Sequence, residues 1–216
     1  MSALLDALRR PSVTNQPPTA REQWRNDIAV LLVALVALLL GWSIRNAVVD
    51  ARSQLSLGEG LPTLEYPRSW LQQGGEGLLF QAVDPASAST FDARLSVVLR
   101  EAPEEQALAM AEMTWPLQRS KEFQWFRHLG TTPVTGPDGR PALLVEYAYI
   151  ADPTRASGGN GLPVVVRAQD LLFLAGEAPD TRLVVVTVAA DADEWSEHAD
   201  QFQAIFQSLG VKEGEQ

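Results

Sequence analysis

The chain has 216 residues, with 17 Lys plus Arg against 27 Asp plus Glu and a formal net charge of −10. Residues 61–216 hold 11 basic and 22 acidic side chains, which argues against nucleic acid as a partner and against lying flat on anionic lipid, since both need Lys and Arg. There is no cysteine, so disulfides, thiolate metal sites and a lipid-modified cysteine anchor are excluded.

Residues 2–10 read as a short amphipathic helix in which Leu4, Leu5 and Leu8 share a face. It is too short to hold in water alone and would need a partner or a membrane surface; a frayed tail is the other reading. A polar, proline-containing linker follows at 11–20.

Residues 28–44 carry no charge and are mostly Leu, Val and Ala. As a helix they span roughly 25 Å, a little less than a hydrocarbon core of about 30 Å. Trp24 and Arg25 at one end and Trp42 and Arg45 at the other cover the deficit, because indole rings prefer the headgroup level and Arg stems snorkel. Between them Ile28, Leu32, Leu35 and Leu39 form the body of a transmembrane anchor in the lipid bilayer. Arg9, Arg10, Arg21 and Arg25 precede the span and only Arg45 and Arg52 closely follow it. The positive-inside bias then predicts a single-pass bacterial cell-membrane protein, N-terminus cytoplasmic and C-terminal domain extracytoplasmic. A signal peptide cut after Val49 and Ala51 is the competing reading. The apolar run is long and starts late, which favours an uncleaved signal anchor. The expected organisation is a cytoplasmic segment at 1–27, the span at 28–44, a tether at 45–60, one domain at 61–210 and a tail at 211–216.

Within that domain, the stretch 64–70 predicts a short edge strand running through Pro67 into a turn. Strands are predicted over 78–83 and 94–99. Pro103, Glu104 and Glu105 open a helix with an apolar stripe of Ala107, Met110, Ala111 and Thr114, joined by Leu108 and Trp115, which Pro116 ends or kinks. A strand over 123–134 with a bend at Gly130 leads to the turn Gly136-Pro137-Asp138-Gly139 and a strand over 142–150. The glycine-rich loop 152–161 is long for a hairpin, and Arg155, Ser157 and Asn160 on it are candidate partner contacts, with Leu4, Leu5 and Leu8. Segments 164–167 and 171–175 read as one bent strand or two short ones, and 183–189 as a β-branched strand. The last helix reads from Asp191 as N-cap, with Glu194 three residues on, through Trp195, Ala199, Phe202, Ile205, Phe206 and Leu209 to Gly210. Strands in runs, with helices between, predict an α+β domain: an antiparallel sheet flanked by helices, one on each face or both at one end.

Signatures of catalytic chemistry are sparse in the sequence. The two histidines, His128 and His198, stand in no zinc-binding or hydrolase motif, and no phosphate loop or EF-hand is present. Ser157 with His128 is a weak serine-hydrolase possibility. The cluster Asp191, Asp193, Glu194, Glu197 and Asp200 reads as helix capping and a solvated face rather than a Ca²⁺ site. Trp115, Trp125 and Phe126 read first as core, and Trp125 with Tyr147 as the wall of an apolar-ligand pocket in a runner-up reading. No catalytic residue, cofactor or metal ligand is assigned.

Three features together resemble a known family: Tyr66-Pro67-x-x-Trp70, the strand from Gly139 to Tyr149, and Trp195…Phe202-x-x-Ile205-x-x-Ser208-Leu209. They are similar to the PsbP-like domains, the α/β/α sandwiches of the extrinsic photosystem II subunit and its membrane-tethered bacterial relatives, over about residues 61–209. The resemblance implies a small non-enzymatic domain that docks on a larger assembly, here integral subunits of a photosynthetic or respiratory membrane complex. The expectation is therefore a single-pass accessory or assembly subunit. The alternatives are a tethered binder of a small apolar ligand and, last, an extracytoplasmic hydrolase.

Overall fold

A computed structural model describes residues 19–49, 51–75, 77–101, 107–152, 162–176 and 181–211. Leu4, Leu5, Leu8, Arg155, Ser157, Asn160 and the expected helix start at residues 103–105 lie outside these. The chain divides into two units between Val48 and Val49.

The first unit holds helix α1, Ala20–Val49. Its segment Gln23–Arg45, 23 residues with mean hydropathy 2.5 and no residue buried, is a candidate membrane anchor about 34 Å long. Trp24, Leu32, Leu35, Leu39 and Trp42 are all exposed and Ile28 nearly so. A helix apolar on every side has no face to turn to water, and lipid is the medium that suits it.

The second unit is an α+β sandwich. Strands β1 (Arg52–Ser56) and β2 (Thr63–Pro67) form a small antiparallel hairpin. Strands β3 (Leu71–Gln73), β4 (Phe80–Val83), β5 (Arg94–Glu101), β6 (Gln124–Thr135), β7 (Pro141–Ala151), β8 (Val164–Ala175) and β9 (Arg182–Asp191) form one antiparallel sheet in the order β3-β4-β5-β9-β8-β7-β6. Helix α2 (Ala107–Glu122) covers one face and α3 (Trp195–Ser208) the other.

Alternation along the strands builds the two cores. From β8 and β9, Leu171, Phe173, Val184, Val186 and Val188 meet Phe202, Ile205 and Phe206 of α3, with Leu64, Tyr66 and Trp70 of the hairpin segment closing that side. The intervening residues Val166, Ala168, Leu172 and Val185 join Val145, Tyr147 and Tyr149 of β7 under Ala111 and Trp115 of α2. Every residue of β9 from Leu183 to Asp191 is buried, because this strand is covered on both faces. Fully burying one Val, Leu or Phe is worth roughly 1.5–3 kcal/mol, so the centre of the sheet is where the fold is held.

Several expectations change in detail. Between 45 and 60 the chain carries the end of α1 and the strand β1, so only residues 50 and 51 separate them; pairing with β2 makes this stretch part of the domain. Pro116 does not end α2, which runs on to Glu122. It lacks the N–H and its ring crowds the i−4 carbonyl, that of Glu112, but Glu112 is exposed and water can solvate the displaced carbonyl. Segments 164–167 and 171–175 are one continuous strand, β8. Asp191 is not the N-cap of α3 but the last residue of β9. Its carboxylate accepts the Asp193 N–H and the Ser89 hydroxyl, and Glu194 stands at the cap without a side-chain bond. The Asp138-Gly139 hairpin forms as expected, both residues at positive φ (56° and 73°), as does the helix stop at Gly210 with φ 81°.

The hairpin between β6 and β7 is tightly built. A Cβ added to Gly136 would stand 2.8 Å from the Ala142 Cβ and 3.4 Å from the Arg140 carbonyl oxygen, neither of which is a movable side-chain end. Gly136→Ala is expected to destabilise the domain by about 1–3 kcal/mol, read from urea unfolding followed by circular dichroism.

Candidate functional site

The surface singled out by the structure is the outer side of α2, and its position is set by a buried polar network. On its inner side Leu108, Ala111, Trp115 and Arg119 recur at helical spacing and face the sheet. Asp170, at the middle of β8, is fully buried and accepts four hydrogen bonds. Trp115 Nε1 and Arg119 Nε donate to one oxygen at 2.6 and 2.7 Å. The Tyr147 hydroxyl and the Thr187 hydroxyl donate to the other at 3.0 and 2.7 Å. Arg119 also donates to Thr187 Oγ1 and to Glu122, and its guanidinium lies 4.9 Å from the Trp115 ring centroid. A buried carboxylate costs heavily unless paired and fully hydrogen-bonded. Here every lone-pair direction is used, and only one register of α2 on the sheet does this.

The electrostatics follow. Burial pulls the Arg119 pKa down, but the Asp170 charge, the Tyr147 hydroxyl and the hydrogen bonds to Asp170 and Glu122 together outweigh it and hold the group above its ordinary value. Burial, and then the Asp170 charge, push the Tyr147 hydroxyl well above its ordinary range. Burial pushes Tyr149 up to about 12, partly opposed by Arg94 and Arg119. Raised in the folded state from 10.0, Tyr149 contributes stability that is whole below pH 10 and lost as pH climbs through about 12. Unfolding midpoints measured across that range are expected to fall, and to fall less steeply in Tyr149→Phe.

On its outer side α2 carries a second apolar stripe. Met110, Met113 and Leu117 recur at i, i+3 and i+7, and Met113 is 78% exposed. α2 packs against β6, whose Leu129 is also exposed. At the start of β6 the pairing with β7 is bulged between Gln124 and Arg127. Trp125 in this bulge has φ 54° and is 80% exposed. The left-handed region costs a bulky residue about 1–2 kcal/mol. Strain and exposure together at an indole are unfavourable for the domain by itself. Unbranched, polarisable Met side chains next to Leu make an adaptable contact surface.

The residues nominated from sequence distribute as follows. Ala111 and Trp115 are buried between α2 and the sheet, whereas Met110 and Thr114, read as part of the same stripe, point to solvent. Trp125 and Tyr147 do not share a pocket: Tyr147 is fully buried beneath α2 and Trp125 stands in water. Phe126 packs against Tyr147 instead, the two rings tilted by 34°. His128 is exposed and hydrogen-bonded to the Thr131 hydroxyl, while His198 is buried between Asp84 and Glu194 at 4.0 and 3.9 Å. Among the described residues no group of three or more His, Asp or Glu side chains is arranged to hold a metal ion. A cleft of about 720 Å³ lies at the far end of the sheet, between the turn 58–62 and the β6–β7 hairpin. Its charges are mixed, Arg140 and Arg182 with Glu59 and Asp138, and Arg140 donates to the Gly176 carbonyl. Asp170 and Arg119 were missed in the sequence. A lone Asp between Gln169 and Leu171 in an apolar strand was the available signal.

No family model matches the sequence, and no curated protein matches it. Solved structures are similar. Cyanobacterial PsbP (CyanoP) from Synechocystis sp. PCC 6803 is 14% identical with TM-score 0.49, over 76% of this chain and 93% of that one. LpqN of Mycobacterium tuberculosis, involved in cell envelope biogenesis, is 16% identical with TM-score 0.49, over 76% and 94%. PA94 of Pseudomonas aeruginosa is 15% identical with TM-score 0.47, over 73% and 95%. A cyanobacterial PsbP, of the family the sequence resembles, is one of these solved structures.

Proposed function

We propose that the protein is a non-catalytic accessory subunit, held in the membrane by α1, whose domain docks on an integral membrane complex through the outer side of α2. The observation that carries this is the solvent-facing Met110, Met113 and Leu117 stripe on a helix whose inner side is locked to the sheet by Asp170. Apolar side chains on a fixed register form a ready contact surface, and a stripe of this kind on a soluble domain calls for a partner. The strongly acidic composition of residues 61–216 adds a condition: the matching surface is apolar at its centre and basic at its rim. The Arg distribution around α1 supports a cytoplasmic N-terminus, with the domain and its partner surface on the opposite side.

The test is purification of the tagged full chain from native membranes in gentle detergent, with co-purifying chains identified by mass spectrometry. Integral subunits in stoichiometric amounts are the expected result. A chain that emerges alone, folded and monomeric, overturns the docking reading.

A further inference from the structure

We infer that one end of the sheet, carrying Leu71, Trp125, Leu162 and Val165, rests on the bilayer that holds α1. This rests on the reading of α1 as a membrane anchor and goes beyond it by assigning the domain a lipid-contacting surface. The strand register defines the end. Leu71 pairs with Val83, Val83 with Arg94, and Arg94 with Ala189, two residues before the end of β9. On the other half of the sheet the same end holds Val164 and Val165, the end of β7, and the start of β6 with Trp125.

Four large apolar side chains are exposed there: Leu71, Leu162, Val165 and Trp125. They are held in place. The Leu162 carbonyl accepts a hydrogen bond from the Thr90 hydroxyl, Leu71 and Val165 are in paired strands, and Trp125 is presented by a bulge at positive φ. Exposed Arg52, Arg68 and Arg127 stand at this end, as does the exposed Asp193, next to the Ala192 N–H that donates to the Val165 carbonyl. Indole and guanidinium groups around aliphatic ones are what the headgroup region accepts, ring and stem inward and polar ends outward.

Chain connectivity supplies the occupant. The chain enters the domain at Ala51, whose carbonyl accepts the Arg68 N–H, three residues before Leu71. Residues 50 and 51 alone join α1 to β1, and such a link reaches at most about 11 Å, whatever the angle between the two units. Four further helical residues, 46–49, add about 6 Å beyond Arg45. The end that carries the exposed apolar residues is therefore the end the anchor keeps near the bilayer. With an acidic domain, the contact is by shallow apolar insertion and does not depend on anionic lipid.

The absence of cysteine makes the test direct. Leu71→Cys, Trp125→Cys, Leu162→Cys, Asp138→Cys and Leu35→Cys are made one at a time in the full chain. Each is labelled with an environment-sensitive fluorophore and reconstituted into phosphatidylcholine vesicles. The expected result is loss of fluorescence to a headgroup-depth lipid quencher, and protection from aqueous iodide, at 71, 125 and 162. Position 138, in the turn at the opposite end, should do the reverse. If 71, 125 and 162 behave like 138 while 35 is quenched from within the lipid, the inference fails and the anchor stands. If 35 is not quenched either, the anchor reading fails and takes the inference with it. Protection from iodide without lipid quenching means that protein covers this end, and also overturns the inference. Using three positions keeps the result independent of whether any one substitution disturbs folding.

Discussion

Asp170→Ala is expected to cost about 3–5 kcal/mol, a large share of the roughly 5–15 kcal/mol by which a domain of this size is stable. The carboxylate is completely buried and is the acceptor for Trp115, Arg119, Tyr147 and Thr187 at once. Removing it strands a guanidinium whose side chain is only 12% exposed, and leaves buried donors whose desolvation is no longer offset. Glu122 still accepts from Arg119 at 2.8 Å, but it is itself half in water and cannot replace the lost charge beneath α2. Asp170→Asn keeps the shape and one acceptor oxygen, so it should fall between the two. Urea unfolding at neutral pH checks the order wild type, Asn, Ala. Equal stability of Ala and wild type would show that the network does not hold α2. A buried ion pair of this kind gains little over a well-packed apolar core. Its physical role is selective, because sliding α2 along the sheet would unpair every member.

Met113→Asp combined with Leu117→Asp is expected to abolish co-purification of the partner while leaving the unfolding midpoint nearly unchanged. Both side chains are on the outer side of α2, away from the core residues Ala111 and Trp115, so little is lost within the domain. At a docked interface the same change buries two carboxylates against apolar surface. Each carries a desolvation cost of several kcal/mol, which lowers affinity by well over tenfold. The paired measurement separates folding from binding: a normal unfolding curve with lost partner recovery supports the surface, and full recovery removes α2 as the docking element. Substituting Leu71 or Leu162 in the same assay should leave recovery intact, since those residues are at the membrane-facing end.

Much of this protein can be read in one dimension. The uninterrupted apolar run identifies α1, because a helix with no polar side has few alternatives to lipid. Alternation in β7, the β-branched run of β9, the Asp138-Gly139 turn and the stop at Gly210 are local signals whose cause is local: side-chain periodicity and backbone sterics. These determine an antiparallel sheet with helices, and the tertiary structure adds the placement of one helix on each face.

Other features depended on neighbours distant in the chain. Arg52–Ser56 is a strand only because β2 pairs with it eleven residues away. Asp191 looks like a helix cap until the sheet claims it for β9. α2 has apolar residues on both sides, and periodicity alone cannot say whether Met110 or Leu108 faces inward. The buried Asp170 decides, by accepting from Trp115 and Arg119 and so turning Met110, Met113 and Leu117 to solvent. The apolar run and the strand periodicities were enough to mark a candidate membrane anchor and an α+β domain after it. Which surface of that domain is left apolar and exposed was decided only by the tertiary structure, because burial is a property of what a residue packs against and not of the residue.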